Sequence, residues 1–395
     1  MDAEPLPLIG LRVVDLSRLL PGPYASLALA DLGADVVKVE APKGGDYLRW
    51  LPPVRQGQSA YFSALNTGKR SLAVDLKRPQ GVAVVRRLAA RADVLIESFR
   101  PGVMDRLGLG YETLASDNPR LVYCAITGYG QRGPYRERSG HDLNYEALSG
   151  ILGLSGPAGA PPTVPPVQVA DLAGGALWGL AGILAALFAR GRTGRGRFLD
   201  ISMTDGALST LQMALAAHLS ADAPPPVRGG ELLTGGQACY GVYETADGGH
   251  MALAAIEPKF WAAFCDAVER PDLLPRHTGN PRQVAETRAL LAALFKTRTR
   301  AEWERVFEPV DACCEPVLRP DELASHPLHW ARANFMADAA GMPRLRTPLR
   351  PREAAPPEPS PGLGEHTAEI LRELGYDAED AEELRRAGVV GGDQR

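Results

Sequence analysis

Short apolar runs bounded by turn signals recur along the first 200 residues, separated by stretches whose apolar positions fall three and four apart. Residues 12–15 form a brief apolar run. A loop through Pro21-Gly22-Pro23 leads to a helical stretch over about 24–32, and residues 35–40 form a second run rich in valine. Runs of this length with no polar alternation are strands covered on both faces. A strand, a helix and a second strand in sequence imply a parallel pair joined by a right-handed crossover. The unit repeats: a strand over 70–76, a helix over 80–92 with its apolar face at Val84, Val85 and Leu88, and a strand over 93–97. A short helix over 101–107, a strand over 121–126 and a strand over 198–202 complete the series. The alternation predicts an α/β fold with a Rossmann-like, doubly wound parallel sheet, whose ligands lie at the carboxyl ends of the strands.

The pattern changes after residue 222. Ala223-Pro-Pro-Pro-Val227 breaks the chain, and a hairpin pattern follows around Asp247-Gly248-Gly249. Helical stretches over 260–268, 283–296 and 300–307 and a strand over 312–318 come next. We expect residues 1–222 to form the large domain, 223–325 a smaller α+β domain, and 326–395 a proline-rich segment ending in two short helices. One long run, 172–189, carries no charge and contains Gly175-x-x-x-Gly179. Its length sits at the short edge of a membrane span. Soluble α/β patterns flank it on both sides, so it is expected to be a helix buried on all sides, with no membrane span.

Composition narrows the function. The chain has 395 residues, 43 basic against 47 acidic side chains, and 6% aromatics. That balance gives no electrostatic footprint for nucleic acid and few stacking surfaces for single strands. The five cysteines include no C-x-x-C pair, and adjacent Cys313-Cys314 suits neither a disulfide framework nor zinc. A reducing, cytoplasmic location is expected, and residues 1–5 show no signal-peptide pattern. His326 and His329 are separated by Pro327 and have no third ligand at a useful spacing, so no metal site is expected.

No G-x-G-x-x-G or Walker A motif is present, so neither a dinucleotide nor a nucleotide triphosphate is indicated. Cations are scattered near the predicted strand ends: Lys38, Lys69, Arg70, Lys77, Arg100 and Arg106. The Gly-rich basic turn over 190–197 suits a phosphate and a solvated turn equally. The chemistry concentrates in Ser139-Gly140-His141-Asp142-Leu143-Asn144-Tyr145 and in Val169-Ala170-Asp171, each placed where a loop gives way to a helix. Helix N-termini favour negative charge. Two proton-carrying groups at two such termini can serve one carbon from opposite faces. Tyr145, four residues after His141, suits a place beside a bound group or in the core equally, and Cys239, with no base at a known spacing, reads as a packed thiol.

These stretches resemble the family III CoA transferases (CaiB/BaiF type), which include the α-methylacyl-CoA racemases. The matching pieces are residues 10–17, 30–40, 65–72, 97–102, 118–122 and 364–367, so the likeness runs through essentially the whole chain. Gly140-His141-Asp142-Leu143-Asn144-Tyr145, Val169-Ala170-Asp171 and Ile256-Glu257-Pro258 resemble the racemase branch in particular.

The resemblance implies that His141 and Asp171 are acid/base residues, with Glu257 near the histidine. It implies a CoA site at Val74, Asp75, Lys77, Ser98, Phe99, Arg100 and Arg106, with Lys38 standing in for an arginine that relatives carry where this chain has Ala41. It further implies an acyl-CoA substrate, no prosthetic group, and an interlocked homodimer whose C-terminal segment returns to the large domain. Three functions follow as expectations. The first is epimerisation of 2-methylacyl-CoA thioesters by 1,1-proton transfer through an enolate, with amides of residues 171–174 holding the enolate oxygen. The second is CoA transfer through an aspartyl-CoA thioester at Asp171. The third is a non-catalytic CoA-binding role.

Overall fold

The computed structural model describes residues 5–55 and 57–392. The chain divides into two units. One comprises residues 1–149, 166–210 and 327–395; the other comprises 150–165 and 211–326. The first unit therefore ends earlier than the proline break at 223 suggested. The second unit takes a short stretch, 150–165, from inside what reads in sequence as one domain.

The first unit is built on strands β1 (Arg12–Asp15), β2 (Asp35–Glu40), β3 (Arg70–Val74), β4 (Val94–Glu97), β5 (Val122–Thr127) and β6 (Arg197–Ser202). They lie in the order β3-β2-β1-β4-β5-β6, all parallel. Strands one to three run outward in one direction and four to six in the other. The order reverses between β1 and β4, and a crevice opens there at the carboxyl ends, where such sheets bind ligands. The α/β class and the parallel central sheet are as the alternation predicts.

Helix α1 (Pro21–Asp31) follows β1, and Pro21 and Pro23 occupy its first turn, where their fixed φ and missing N–H cost nothing. Helix α2 (Pro79–Ala89) buries Val84, Val85 and Leu88 against Val37, Leu72, Leu95 and Tyr123 of the sheet. The apolar, alanine-rich stretch 203–220 forms two helices rather than one, Met203–Ser209 and Gln212–Ser220.

The tail returns to the sheet. Gly391 and Val390 pair antiparallel with Ala73 and Val74 of β3. The segment 364–367 secures the return: the amide of Gly364 donates to Ser71 Oγ (2.9 Å), His366 to the Ser71 carbonyl (3.0 Å), and Ala73 to Thr367 Oγ1 (3.1 Å). That Gly-Glu-His-Thr stretch thus has a structural task.

A continuous apolar helix spans Ala170–Thr193. It is long and apolar enough to cross a membrane, but Gly175 and Gly179 sit against Ile126 of β5, with Pro21 beside the first and Cys124 beside the second. Burial on all sides is not what the fold shows. Gly179, Leu180, Ile183, Ala186 and Arg190 are covered, whereas Leu177, Trp178 and Phe188 are exposed, Phe188 at 72%. Arg190 is covered because its guanidinium pairs with Asp93 at 2.9 Å, which gives the basic turn a structural anchor.

The second unit has a three-stranded antiparallel sheet, Cys314–Pro316, His250–Ala254 and Tyr240–Glu244 in that order. Its core is aromatic, with Trp261, Phe264, Phe295, Trp303 and Phe307 in successive ring contacts. Cys239 is fully buried there, as a packed thiol should be.

Candidate active site

The crevice between β1 and β4 holds a cavity of about 410 Å³ lined by residues of the first unit. His141 and Asp171 both face it, as do Tyr145, Ser98, Phe99 and Arg100. A larger cavity, about 1250 Å³, lies within the second unit, but it is lined mainly by glycine, alanine and apolar side chains with Arg288 as its one charge. It offers no acid/base pair, which the smaller one does.

Each element at the site has a local reason. His141 precedes helix α3 (Asp142–Ser149), and its amide donates to Asn144 Oδ1 at 3.0 Å, a cap that fixes the start of the helix. Tyr145 turns back so that its hydroxyl donates to the Gly140 carbonyl at 2.6 Å, while its ring meets Tyr129 edge-on at 5.2 Å. It is 7% exposed, packs in the core and also lines the cavity.

Asp171 lies in the first turn of a wide, π-type helical stretch, Ala170–Leu177, which runs directly into α4 (Trp178–Thr193). Such expanded turns cluster at functional positions. The stretch packs tightly on α5 (Met203–Ser209): a Cβ on Gly174 would stand 2.3 Å from the Met203 carbonyl oxygen, and one on Gly206 would stand 2.1 Å from that of Gly174. Only glycine at both positions permits this approach, which sets the height of Asp171 in the crevice.

The electrostatics around Asp171 are unbalanced. Burial pushes its carboxyl up to about 7, and the carboxylates of Asp142 and Glu146 push in the same direction. Asp142 Oδ1 accepts the Asp171 amide at 2.9 Å, and Glu146 Oε1 accepts that of Val169 at 3.1 Å. Glu146 is itself fully buried and raised, first by burial and then by Asp142. Three carboxyl groups thus share one helix-to-helix seam, and among the described residues no cation is paired to any of them. Neither Asp142 nor Glu146 stood out in the sequence, although their i, i+4 spacing places both on one helix face.

The predicted CoA residues separate into three groups. Ser98, Phe99 and Arg100 line the cavity. Val74, Asp75, Lys77 and Arg106 do not, but Val74 ends β3 and the others follow β3 or β4 on the same carboxyl edge of the sheet. Of these, Lys77 and Arg106 are exposed, Val74 is buried, and Asp75 accepts the Lys77 amide at 2.9 Å. Lys38 is the correction. It has no exposed surface, and its ammonium is 3.0 Å from both Asp46 Oδ2 and the Ser17 carbonyl oxygen. Burial would lower its pKa, but Asp15, Asp46 and Glu40 outweigh that and raise it. A cation enclosed in this way is not available to a phosphate.

Two of the amides expected to hold an enolate oxygen are already engaged, that of Asp171 with Asp142 and that of Leu172 with the Gln168 carbonyl. Glu257 belongs to the second unit, where it precedes the helix Pro258–Ala267, and is not among the cavity's lining residues. Arg18, Tyr47, Arg136 and Arg138 line the cavity and were missed as site residues.

A model of CoA-transferase family III matches residues 8–367. The chain belongs to this family. Family III relatives include alpha-methylacyl-CoA racemase of Mus musculus, 41% identical over 98% of each chain. They also include succinyl-CoA:glutarate CoA-transferase of Mus musculus, 35% identical over 97% of this chain and 90% of that protein. Among solved structures, a CAIB/BAIF family protein from Brucella suis superposes with a TM-score of 0.82 at 35% identity, covering 94% of this chain and all of that one. The family is enzymatic, and racemase and transferase members both match over nearly the full chain.

Proposed function

We propose that this protein epimerises 2-methylacyl-CoA thioesters by 1,1-proton transfer through an enolate. The observation that carries the reading is the shared cavity of His141 and Asp171, in which the aspartate is held up to about 7. A carboxyl group so poised keeps its proton near neutral pH, as a general acid must, whereas a carboxylate nucleophile needs to be ionised. In one direction His141 removes the α-proton and Asp171 returns one to the opposite face; the roles exchange for the other epimer. The positive end of the helix carrying Asp171 and the guanidinium groups lining the cavity would oppose the enolate charge. The similarity to alpha-methylacyl-CoA racemases adds weight. Glu257 as the partner of His141 rests on the resemblance alone.

Coenzyme A enters as part of the substrate, with Ser98, Phe99, Arg100, Lys77 and Arg106 at the sheet edge as its contacts. No prosthetic group takes part in this scheme. The same reading takes the chain as an interlocked homodimer, supported by the apolar side chains Trp178 and Phe188 that the first unit leaves exposed. It takes the location as cytoplasmic, in keeping with five free thiols.

NMR in D₂O tests the reaction. Deuterium should enter the α-position of a 2-methylacyl-CoA with no acceptor acid present, and His141→Ala should slow this by about 10²–10⁴-fold. The transferase reading, favoured by relatives such as the succinyl-CoA:glutarate enzyme, predicts acid-dependent CoA transfer and a hydroxylamine-trappable Asp171 adduct. That outcome, with no α-exchange in any 2-methylacyl-CoA, would overturn the racemase reading.

A further inference from the structure

Arg18 stands at the carboxyl end of β1, in the turn that opens the crevice, and lines the same cavity as His141 and Asp171. Its guanidinium lies between two aromatic rings, 5.1 Å from the centre of Tyr47 and 5.5 Å from that of Phe99, and donates to the Tyr47 hydroxyl at 3.3 Å. Among the described residues no carboxylate lies within ion-pair distance of it. Arg136 at the same cavity, by contrast, is paired with Glu137 at 2.9 Å. A guanidinium held by two rings is partly dehydrated yet still has N–H groups to give, a state that favours an incoming oxyanion.

The turn that presents Arg18 is imposed on the chain. Leu19 takes a left-handed conformation at φ 63°, unusual for a branched side chain. Its amide donates to both oxygens of Asp46, at 3.2 and 3.3 Å, and Asp46 is in turn held by the buried ammonium of Lys38. The Arg18 amide faces Ser98 Oγ at 3.3 Å, which ties the turn after β1 to the turn after β4. Lys38, Asp46 and Leu19 thus form a chain of contacts whose outcome is the placement of Arg18.

We propose that Arg18 is the oxyanion-binding residue of the cavity, receiving a phosphate or carboxylate oxygen of the thioester substrate, and that the Lys38–Asp46 pair is its positioning device. The inference rests on the CoA-thioester reading above. It replaces Lys38 as a ligand with Lys38 as a support.

Direct binding, read by calorimetry on the full chain, is independent of which reaction follows. Three probes are titrated into the native protein, Arg18→Ala and Arg18→Lys: isobutyryl-CoA, glutaryl-CoA and the phosphate-free isobutyryl-pantetheine. If the oxyanion is a phosphate of CoA, Arg18→Ala should weaken both CoA thioesters alike, by about tenfold or more, and leave the pantetheine thioester unaltered. If it is a carboxylate on the acyl group, only glutaryl-CoA should weaken. Arg18→Lys should recover part of the loss, since it keeps the charge but not the fork. Unaltered affinity for both CoA thioesters overturns the inference, as does an equal loss for all three probes, which would mark Arg18 as packing alone. A native protein that binds no CoA thioester overturns the functional reading together with it.

Discussion

Two groups of buried charge, one at the ends of β1, β2 and β3 and one where α3 meets the helical stretch carrying Asp171, are built on opposite plans. Beneath the ends of β1, β2 and β3, every charge has a counter-charge. Lys38 meets Asp46, Lys69 meets Asp15 at 3.3 Å, and Arg49 meets Glu40 at 2.6 Å. Burial alone would raise Asp15, yet Lys69, Lys38 and the hydroxyls of Ser17 and Ser26 hold it at about 2. At the seam of Asp142, Glu146 and Asp171 the charges are alike, and burial and repulsion act together to hold protons on. The first plan closes off its charges and fixes backbone. The second leaves a proton that is easily gained and lost, which chemistry can use.

The comparison predicts opposite signs when each group is disturbed. The largest effect belongs to the paired group. Lys38→Met leaves Asp46 and Glu40 with buried charge that has lost a partner, and should cost about 3–5 kcal/mol in the unfolding transition of the first unit. It should do so across the neutral pH range, because Lys38 is raised above its ordinary value and stays charged there.

Asp171→Asn should do the reverse. The folded chain keeps a proton on Asp171 between about pH 4 and pH 7 that the unfolded chain has already released. Native stability therefore falls as pH rises through that window, and the full cost is present above about 7. The amide removes it, so the variant should gain about 1–2 kcal/mol at pH 8, after allowance for solvent reaching the group. It should gain nothing at pH 4 and should lose activity. Paired melts at the two pH values check the sign.

The smallest effect is expected of Asp142→Asn, which keeps the oxygen that accepts the Asp171 amide and removes only the charge. Asp171 should then ionise at lower pH. The alkaline limb of whichever direction uses Asp171 as acid should move toward acid by about one pH unit or less. An unmoved limb would assign the raised carboxyl to burial and Glu146.

Much of this was legible in the sequence, for identifiable reasons. Parallel strands covered on both faces write themselves as bare apolar runs, so β1, β2, β4 and β5 could be read directly. The helix register at Val84, Val85 and Leu88 also follows from spacing. His141 and Asp171, which line one cavity, were singled out because each sits at a loop-to-helix junction and in a family motif. Lys38 was misread because a lysine in a strand looks the same whether its ammonium reaches solvent or a carboxylate six residues beyond the strand. Asp142 and Glu146 were passed over because what they do depends on a helix from elsewhere in the chain. Arg18 reveals itself only when Tyr47 and Phe99, distant in sequence, close around it.

The two-residue pairing of Val390–Gly391 with β3 has a consequence for how the protein is made. β3 leaves the ribosome more than 300 residues before the segment that covers its free side. Throughout synthesis that edge presents unpaired amides and carbonyls beside an apolar surface, the kind of template on which nascent chains stick to one another. Chains cut short before residue 364 would carry the same exposed edge for good, and should collect as aggregates even though every residue lining the crevice between β1 and β4 is present.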